Sequence, residues 1–463
     1  MNTGLYADNH KKVLWGLLVI LLISIAFLSI NRQFNHDEFE SVHSAWKIIH
    51  GERIYIDFFQ HHHPFFYYLL VPFIKALGET SFTIVCMRIL MLSMLLLIFT
   101  VTFLIAKKVG GKEIGIIALI LLSSTSIFIR NAIEIRPDVP QTLLSLMAVL
   151  FLLNFYESNS LKDLALSAFF LGLSFLFLQK AVFLVLLISA LLFFEGFKKP
   201  VRLNGFVLYL FVFVLTISPY YFYLGSIDSL QQYWFFNWVI NFKWIKHFYP
   251  FYYMKETLLQ NGLFWAFWIL GILFFSKTLQ QKRIAIISLA LLFSVFFVRV
   301  PFRQYYMAAI PFAAIISALA INAIFHNSKS MLIALLVLSI LYPLYKSVSS
   351  ALGLTNHRQL QKIDYVLSLT DSKDFVYDAD IQFNVFRKDP DFFWFSIQEN
   401  LRGMEGLATY KALTNYDYDI SRVIECYKPK VVSGYFIDNL KNGKISNKYI
   451  RSVKYNDLFI RTN

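Results

Sequence analysis

Apolar residues arrive in long blocks along most of this chain, too long for the half-buried helices of a soluble core. A helix that crosses a bilayer needs about 20 mostly apolar residues, and that pattern recurs. It predicts eleven crossings: Val13–Ile30, Phe82–Ala106, Ile114–Ile129, Val139–Tyr156, Leu164–Leu178, Ala181–Phe197, Phe206–Leu224, Leu263–Ser276, Ile284–Val298, Tyr305–Phe325 and Met331–Tyr345. The fifth and sixth are short. Joined, they exceed one crossing of ~30 Å at ~1.5 Å per residue, so they read as a tight hairpin.

The polar intervals set the orientation. Lys11-Lys12, Lys107-Lys108-Lys112, Lys198-Lys199-Arg202 and Lys277-Lys282-Arg283 fill short loops that the hairpin keeps on one side. Short loops dense in Lys and Arg belong in the cytoplasm. The opposite side receives Asn31–Ser81, the Arg130–Asp138 turn, the Gln179-Lys180 corner, Gly225–Asn261, Arg299–Gln304 and everything after Lys346. The N-terminus is then cytoplasmic and the C-terminal region lies outside; with a bacterial source the membrane is the inner (plasma) membrane, and a eukaryotic source would turn the outer face toward the endoplasmic reticulum lumen. Lys11-Lys12 followed by Val13–Ile30, with no small-residue cleavage site behind it, reads as a retained first helix.

Two domains follow. Residues 1–346 form an all-α polytopic membrane domain carrying an outer-face interfacial loop, residues 31–81. Within that loop, Val42, Ala45, Trp46, Ile48 and Ile49 put apolar residues on one face of a helix over Glu40–Gly51, suited to lying on a membrane. Residues 347–463 change character. Short apolar runs, Phe375-Val376-Tyr377 and Lys430-Val431-Val432, alternate with charged turns, and Val423–Tyr427 is helical in pattern, which predicts a small extracytoplasmic α/β domain.

Composition narrows the class. Of 463 residues, 57% are apolar and only 16% charged, with a mean hydropathy of +0.56. An average soluble domain has roughly 25% charged residues, so a disordered chain, a collagen-like chain and an ordinary cytosolic enzyme are excluded. The net charge is +14, yet charges nearly balance beyond His357, so the excess belongs to the membrane part. There it speaks of topology and contact with anionic membrane lipids, not nucleic acid. Cys86, in an apolar helix, and Cys426, in the polar tail, imply no disulfide framework.

Candidate chemistry gathers on the predicted outer face. Asp37-Glu38 follow the first crossing, where a carboxylate can accept a proton from a hydroxyl or cap a helix. Asp138 enters the fourth crossing behind Arg136-Pro137 and equally suits a helix N-terminus. Lys180 at the hairpin corner either snorkels or binds an anion. Arg299 and Arg303, ahead of Tyr305-Tyr306, are interfacial anchors or phosphate ligands, and Arg88, two turns inside the second crossing, needs a carboxylate or a lipid phosphate. His61-His62-His63 invite a metal, but adjacent side chains diverge, which favours anion binding or hydrogen bonding by one or two of them. Acids and cations at one water–membrane boundary suit transfer of a group from a lipid phosphate.

The order Asp37-Glu38, Ala45 to Gly51, Tyr55–Asp57–Phe58, His63-Pro64 and Tyr67-Tyr68 resembles the first outer loop of GT-C glycosyltransferases. It is closest to glycosyltransferase family 39 in the broad sense, which includes protein O-mannosyltransferases and the aminoarabinose transferase of lipid A. The resemblance continues through Arg136-Pro137-Asp138, Gly172-Leu173 to Gln179-Lys180, and Arg303-Gln304-Tyr305-Tyr306 to Pro311, over roughly residues 10–325. It implies a membrane transferase that moves a hexose or pentose from a polyprenyl-phosphate donor, with inversion, to a cell-envelope acceptor: a glycan, lipid or protein. Asp37 matches the catalytic acid, with Glu38 beside it, and Asp138 the second acidic position. Lys180 and Arg303 match basic positions near the donor, with Arg88, Arg299 and Tyr305 as further donor ligands. His63 stands where some relatives place a phosphate-binding lysine, a departure that weakens phosphate binding there. A divalent metal is expected in oligosaccharyltransferase-like relatives and not in general for monophosphate donors, so no metal ligand is assigned.

Two other classes remain. A transporter or flippase of lipid-linked sugars shows inverted repeats and mid-membrane binding groups; no such repeat is visible, and the acids sit at a boundary. A polymerase or ligase using diphosphate-linked glycans shares the topology and differs in donor.

Overall fold

In lipid, every backbone N–H and C=O must find a partner within the chain, and the long apolar blocks accordingly become helices. The computed structural model describes residues 3–196, 200–243, 251–298, 301–378, 381–390, 392, 420–439 and 448–462. In chain order the helices are α1 (Thr3–Asn31), α2 (His36–Ile49), α3 (Phe65–Leu77), α4 (Ser81–Gly110), α5 (Lys112–Ser124), α6 (Ser126–Ala132), α7 (Asp138–Ser158), α8 (Leu161–Phe177) and α9 (Val182–Gly196). They continue as α10 (Pro200–Ser226), α11 (Leu230–Trp234), α12 (Ile240–Lys243), α13 (Tyr252–Gln260), α14 (Gly262–Leu270), α15 (Leu279–Ser294), α16 (Ile310–Ile324), α17 (Lys329–Gly353) and α18 (His357–Leu369).

Each predicted crossing falls on this series. Six helices (α1, α4, α7, α10, α15 and α17) are each long and apolar enough to span. Two bent pairs, α5 with α6 and α13 with α14, bring the number to eight. The other three predicted crossings are the shorter helices α8, α9 and α16, of 17, 15 and 15 residues. Between α8 and α9 the chain turns extended at Leu178 and makes one tight turn, Gln179–Ala181, so the two are separate helices.

The chain divides into two compact units, one of Met1–Arg32, Ile89–Phe222 and His247–Leu354, the other of Gln33–Arg88, Tyr223–Lys246 and Thr355–Asn463. In the first, α7 packs on α8, α5 on α1 and α16, α14 and α15 on α16, and α1 on α17. Gly271 permits a close backbone approach: a Cβ there would stand 2.4 Å from the Ile316 carbonyl oxygen of α16.

The two bends share one residue. The run Ser123-Ser124-Thr125-Ser126 interrupts the apolar block, and Ser124 and Thr125 turn their hydroxyls back onto the Leu121 carbonyl. Such local bonds compete with helix continuation, and the chain bends by 76° between α5 and α6. Asn261, at the 95° bend between α13 and α14, takes up the freed groups. Its Oδ1 accepts from the Ser126 N–H at 3.2 Å and its Nδ2 donates to the Ser124 carbonyl at 3.2 Å. Asn261→Leu leaves both groups orphaned in a dry interior, at about 1–3 kcal/mol each. A lowered melting temperature in detergent, with the apparent molecular size unchanged, is the expected result.

The second unit holds α2 packed on α3, and the tail's sheet. Four short strands, β1 (Val376–Tyr377), β2 (Val431–Ser433), β3 (Tyr449–Arg451) and β4 (Leu458–Arg461), lie in the order β1-β2-β4-β3. β1 and β2 are parallel, with Val376 opposite Val431; β4 runs antiparallel to both of its neighbours. Alternation sends Val376, Val431 and Leu458 to one face with Val366 of α18. Tyr377, Val432 and Phe459 go to the other, against Val423 and Ile424 of the helix Ile420–Tyr427. The tail is the small α/β element that its alternating pattern predicts.

Candidate active site

Helix α2 begins with a capping box: Asn35 accepts from the third helical residue, and the Glu38 carboxylate accepts from the Asn35 N–H at 2.9 Å. Glu38 also faces Arg88, whose Nε and Nη2 reach the two carboxylate oxygens at 2.8 and 2.6 Å. Both side chains are fully buried. Arg88 also donates to the Gln33 carbonyl at 3.0 Å, and its guanidinium lies 3.8 Å from the centre of the Phe34 ring. The carboxylate that Arg88 calls for is therefore Glu38, a planar two-point match. That clamp fixes the first turn of α2 and with it Asp37, whose carboxylate stays partly exposed and pairs with His36 at 2.8 Å.

The predicted interfacial helix forms, but it is enclosed: Glu38 to Lys47 are all buried. Its polar positions meet partners far along the chain. His43 Nε2 lies 2.5 Å and Lys47 Nζ 3.2 Å from the Asp389 carboxylate, and His43 Nδ1 lies 3.1 Å from the Val385 carbonyl. Burial alone would raise the Asp389 carboxyl, but Lys47 and His43 outweigh it and hold it below the ordinary range. Burial alone would lower Lys47, but Asp389 and Glu52 outweigh it and raise it.

The signs of these shifts set a pH window. The Asp389 contribution is present above the unfolded carboxylate value near 3.9 and is lost as pH falls through the lower folded value. That of Lys47 is present below about 10.4 and is lost as pH rises through its raised folded value. The second unit should therefore keep this contribution across neutral pH and lose it in acid. Asp389→Asn removes the buried carboxylate that His43 and Lys47 share and leaves Lys47 with Glu52, at 3.5 Å; breaking a buried pair costs about 3–5 kcal/mol, and proteolysis within the tail at pH 7 should accelerate accordingly.

His63 follows the buried Gln60, which donates to Ser44 at 3.1 Å and to Glu40. The His63 ring is buried, with Nε2 2.8 Å from the Tyr233 hydroxyl. The His61 and His62 rings lie 3.9 Å apart between centres, tilted by 52°. Among the described residues, no group of three His, Cys, Asp or Glu side chains is placed to hold a metal ion.

In the first unit, Asp138 opens α7, and the tight turn after α8 carries Lys180 to it: Nζ to Oδ1 is 2.9 Å. The ammonium also lies 3.6 Å from the centre of the Tyr305 ring. Arg136 Nε approaches the other Asp138 oxygen at 3.7 Å, and Arg136 pairs with Glu134, itself an ion-pair partner of Arg32. Asp138, Lys180 and Tyr305 border a cavity of ≈ 420 Å³, completed by Gln141, Ser294 and Gln304 among others. Gln141 is held from behind: its Nε2 donates to Ser145 at 3.0 Å, and Ser145 meets Ser174 at 2.9 Å. The arrangement is a cation over an aromatic ring, a buried carboxylate and three neutral hydrogen-bonding side chains, chemistry suited to a phosphate with an attached polyol.

Of the sequence-derived candidates, Glu38 and Arg88 come together in one unit, and Asp138, Lys180 and Tyr305 in the other. Arg303 binds Glu256 through Nε at 2.8 Å and Nη2 at 3.3 Å. Arg299 lies outside the described residues. Sequence reasoning missed Gln141, although it stands three residues after Asp138, one helical turn along α7, and Gln304, between two named residues.

Such a helix series, with an acidic N-terminal helix-loop segment and a small mixed tail, defines a polytopic membrane protein of the GT-C fold. Residues 61–223 match the family model of dolichyl-phosphate-mannose-protein mannosyltransferase. The chain is similar in structure to ArnT from Cupriavidus metallidurans bound to undecaprenyl phosphate, with TM-score 0.66 and 12% identity over 98% of both chains. The same protein in the apo state gives TM-score 0.68 and 13% identity, again over 98% of each. The archaeal oligosaccharyltransferase AglB from Archaeoglobus fulgidus, in complex with an inhibitory peptide and a dolichol-phosphate, gives TM-score 0.60 and 13% identity, over 98% of this chain and 74% of that one. No curated protein sequence matches the chain.

Proposed function

We propose that the chain is an inverting glycosyltransferase that moves a hexose or pentose from a polyprenyl-phosphate donor to a cell-envelope acceptor. The observation that carries this reading is the Lys180–Asp138–Tyr305 pocket, which offers one cation for a phosphate and neutral amides and a hydroxyl for a sugar. The mannosyltransferase family match over residues 61–223 and the likeness to a protein solved with undecaprenyl phosphate support the donor class.

The acceptor's oxygen attacks the anomeric carbon from the side opposite the phosphate. Its proton passes to the Asp37 carboxylate as the bond between the anomeric carbon and the phosphate oxygen breaks. The electron pair stays on the phosphate, which departs as polyprenyl phosphate and is stabilised by Lys180, with Arg303, Arg299 and His63 as further donor ligands. Asp138 orients Lys180, and the Glu38–Arg88 clamp orients the turn that carries Asp37. The reaction runs at the outer face, with the N-terminus cytoplasmic and residues 347–463 outside the inner membrane.

Purified protein in nanodiscs, supplied with a polyprenyl-monophosphate sugar and an envelope extract, should release polyprenyl phosphate and form a glycosidic bond of opposite anomeric configuration. The same glycan on a diphosphate carrier should not react. Transfer from the diphosphate alone would make the chain a polymerase or ligase. Movement of lipid-linked sugar across vesicles without bond formation would make it a flippase.

A further inference from the structure

A second cavity in the first unit, of ≈ 290 Å³, opens where α1, the α5–α6 bend and α17 meet. Its lining mixes serines with apolar side chains, among them Ile25 and Leu28 from α1, Ile129 from α6 and Pro343 from α17. Ser123 and Ser126 line it too, and their hydroxyl oxygens are buried with no hydrogen-bond partner. Ser123 is 5% exposed. A buried hydroxyl without a partner is costly, and two at one helix break that face one slot call for an acceptor that enters from outside the protein.

A turn beyond the slot stands a cation with the same need. Arg32 follows Leu28 by one helical turn, and its Nη1 donates to the Arg130 carbonyl at 3.1 Å, next to Ile129. Arg32 is paired with Glu134 and Arg303 with Glu256. Arg130 stands within electrostatic reach of both arginines and both glutamates, is exposed, and makes no ion pair among the described residues. With each carboxylate engaged elsewhere, the residual field at Arg130 is positive.

We propose that this slot binds one anionic glycerophospholipid from the surrounding bilayer. Arg130 takes the headgroup phosphate, Ser123 and Ser126 donate to an acyl ester carbonyl, and the upper acyl chain lies along Ile25, Leu28, Ile129 and Pro343. Arg130 follows Ser126 by one turn of α6, and neighbours at that spacing lie ≈ 5–6 Å apart, which suits the few bonds between a headgroup phosphate and an acyl ester. The Lys180 pocket is lined by a different set of residues.

The test uses the full chain in phosphatidylcholine nanodiscs doped with phosphatidylglycerol carrying a photoreactive group near the ester. Labelled peptides should map to residues 21–28, 123–129 and 343–347. Arg130→Gln should lower labelling by phosphatidylglycerol about tenfold, the worth of one charge-assisted hydrogen bond, and lower labelling by the phosphatidylcholine analogue less, because its choline cation already offsets the phosphate charge. Ser123→Leu, which fills the slot, should abolish labelling by both. If that variant does not fold, the exposed Arg130→Gln change still decides. Labelling spread evenly over the bilayer-facing helices would overturn the proposal, as would a slot that holds water alone. So would an Arg130→Gln protein that labels like the wild type. Displacement of the probe by stoichiometric polyprenyl phosphate would also overturn it, because the slot would then belong to the donor.

Discussion

Asp37→Asn should lower kcat by about 10³-fold, within the 10²–10⁴ range of a general base, and leave the donor KM within about twofold. Asparagine has the same shape, keeps a hydrogen bond to His36 within reach, and leaves the Glu38–Arg88 clamp intact. What it removes is the capacity to take the acceptor's proton while the new bond forms. The measurement is release of polyprenyl phosphate by protein in nanodiscs, with melting temperature and size-exclusion profile as controls. Wild-type turnover by a well-folded Asp37→Asn protein would remove Asp37 from the role of base. Glu38→Gln supplies the contrast. It breaks a fully buried two-point ion pair, and the loss of about 3–5 kcal/mol for an unpaired buried charge should appear first as lost protein and only then as lost activity. The two neighbouring carboxylates are therefore separable: one reads out in rate, the other in folding.

That contrast marks what the sequence can and cannot supply. The membrane helices are legible because the requirement behind them, about 20 apolar residues per span, is local. The bends are less legible. Ser123-Ser124-Thr125-Ser126 is a visible break signal, but its partner Asn261 lies 135 residues away. Helix α3 went unread because its start follows a histidine run and Pro72 sits inside it. A proline in that position weakens a helix pattern. Polar pairs are the least legible of all. The outer-face reading singled out Asp138, Lys180 and Tyr305 as charged or aromatic residues at helix ends, and the structure joins them. Nothing in the chain points from His43 and Lys47 to Asp389, more than 340 residues on, or from Arg303 to Glu256. A buried charge announces that it needs a partner; only the fold says which.

Lys180 carries the other large effect. Lys180→Gln should lower kcat/KM for donor about 10²–10³-fold, the range found when one preorganised stabiliser of developing charge is removed. The loss should fall mainly on kcat, because the full phosphate charge develops as the bond to the sugar breaks. A structural role makes a different forecast. Lys180 neutralises the buried Asp138 carboxylate at 2.9 Å, and in Lys180→Gln the cation left to that carboxylate among the described residues is Arg136, at 3.7 Å. If neutralisation were its whole duty, then Asp138→Asn combined with Lys180→Gln should recover near wild-type turnover, since neither charge would be left unpaired. If Lys180 holds the departing phosphate, the double variant stays as slow as the single one even where its stability recovers. A double-mutant cycle read in both rate and melting temperature separates the two. The phosphate role requires strong coupling between the residues in stability and no rescue in kcat, and recovery of kcat in the double variant would reduce Lys180 to a counter-ion.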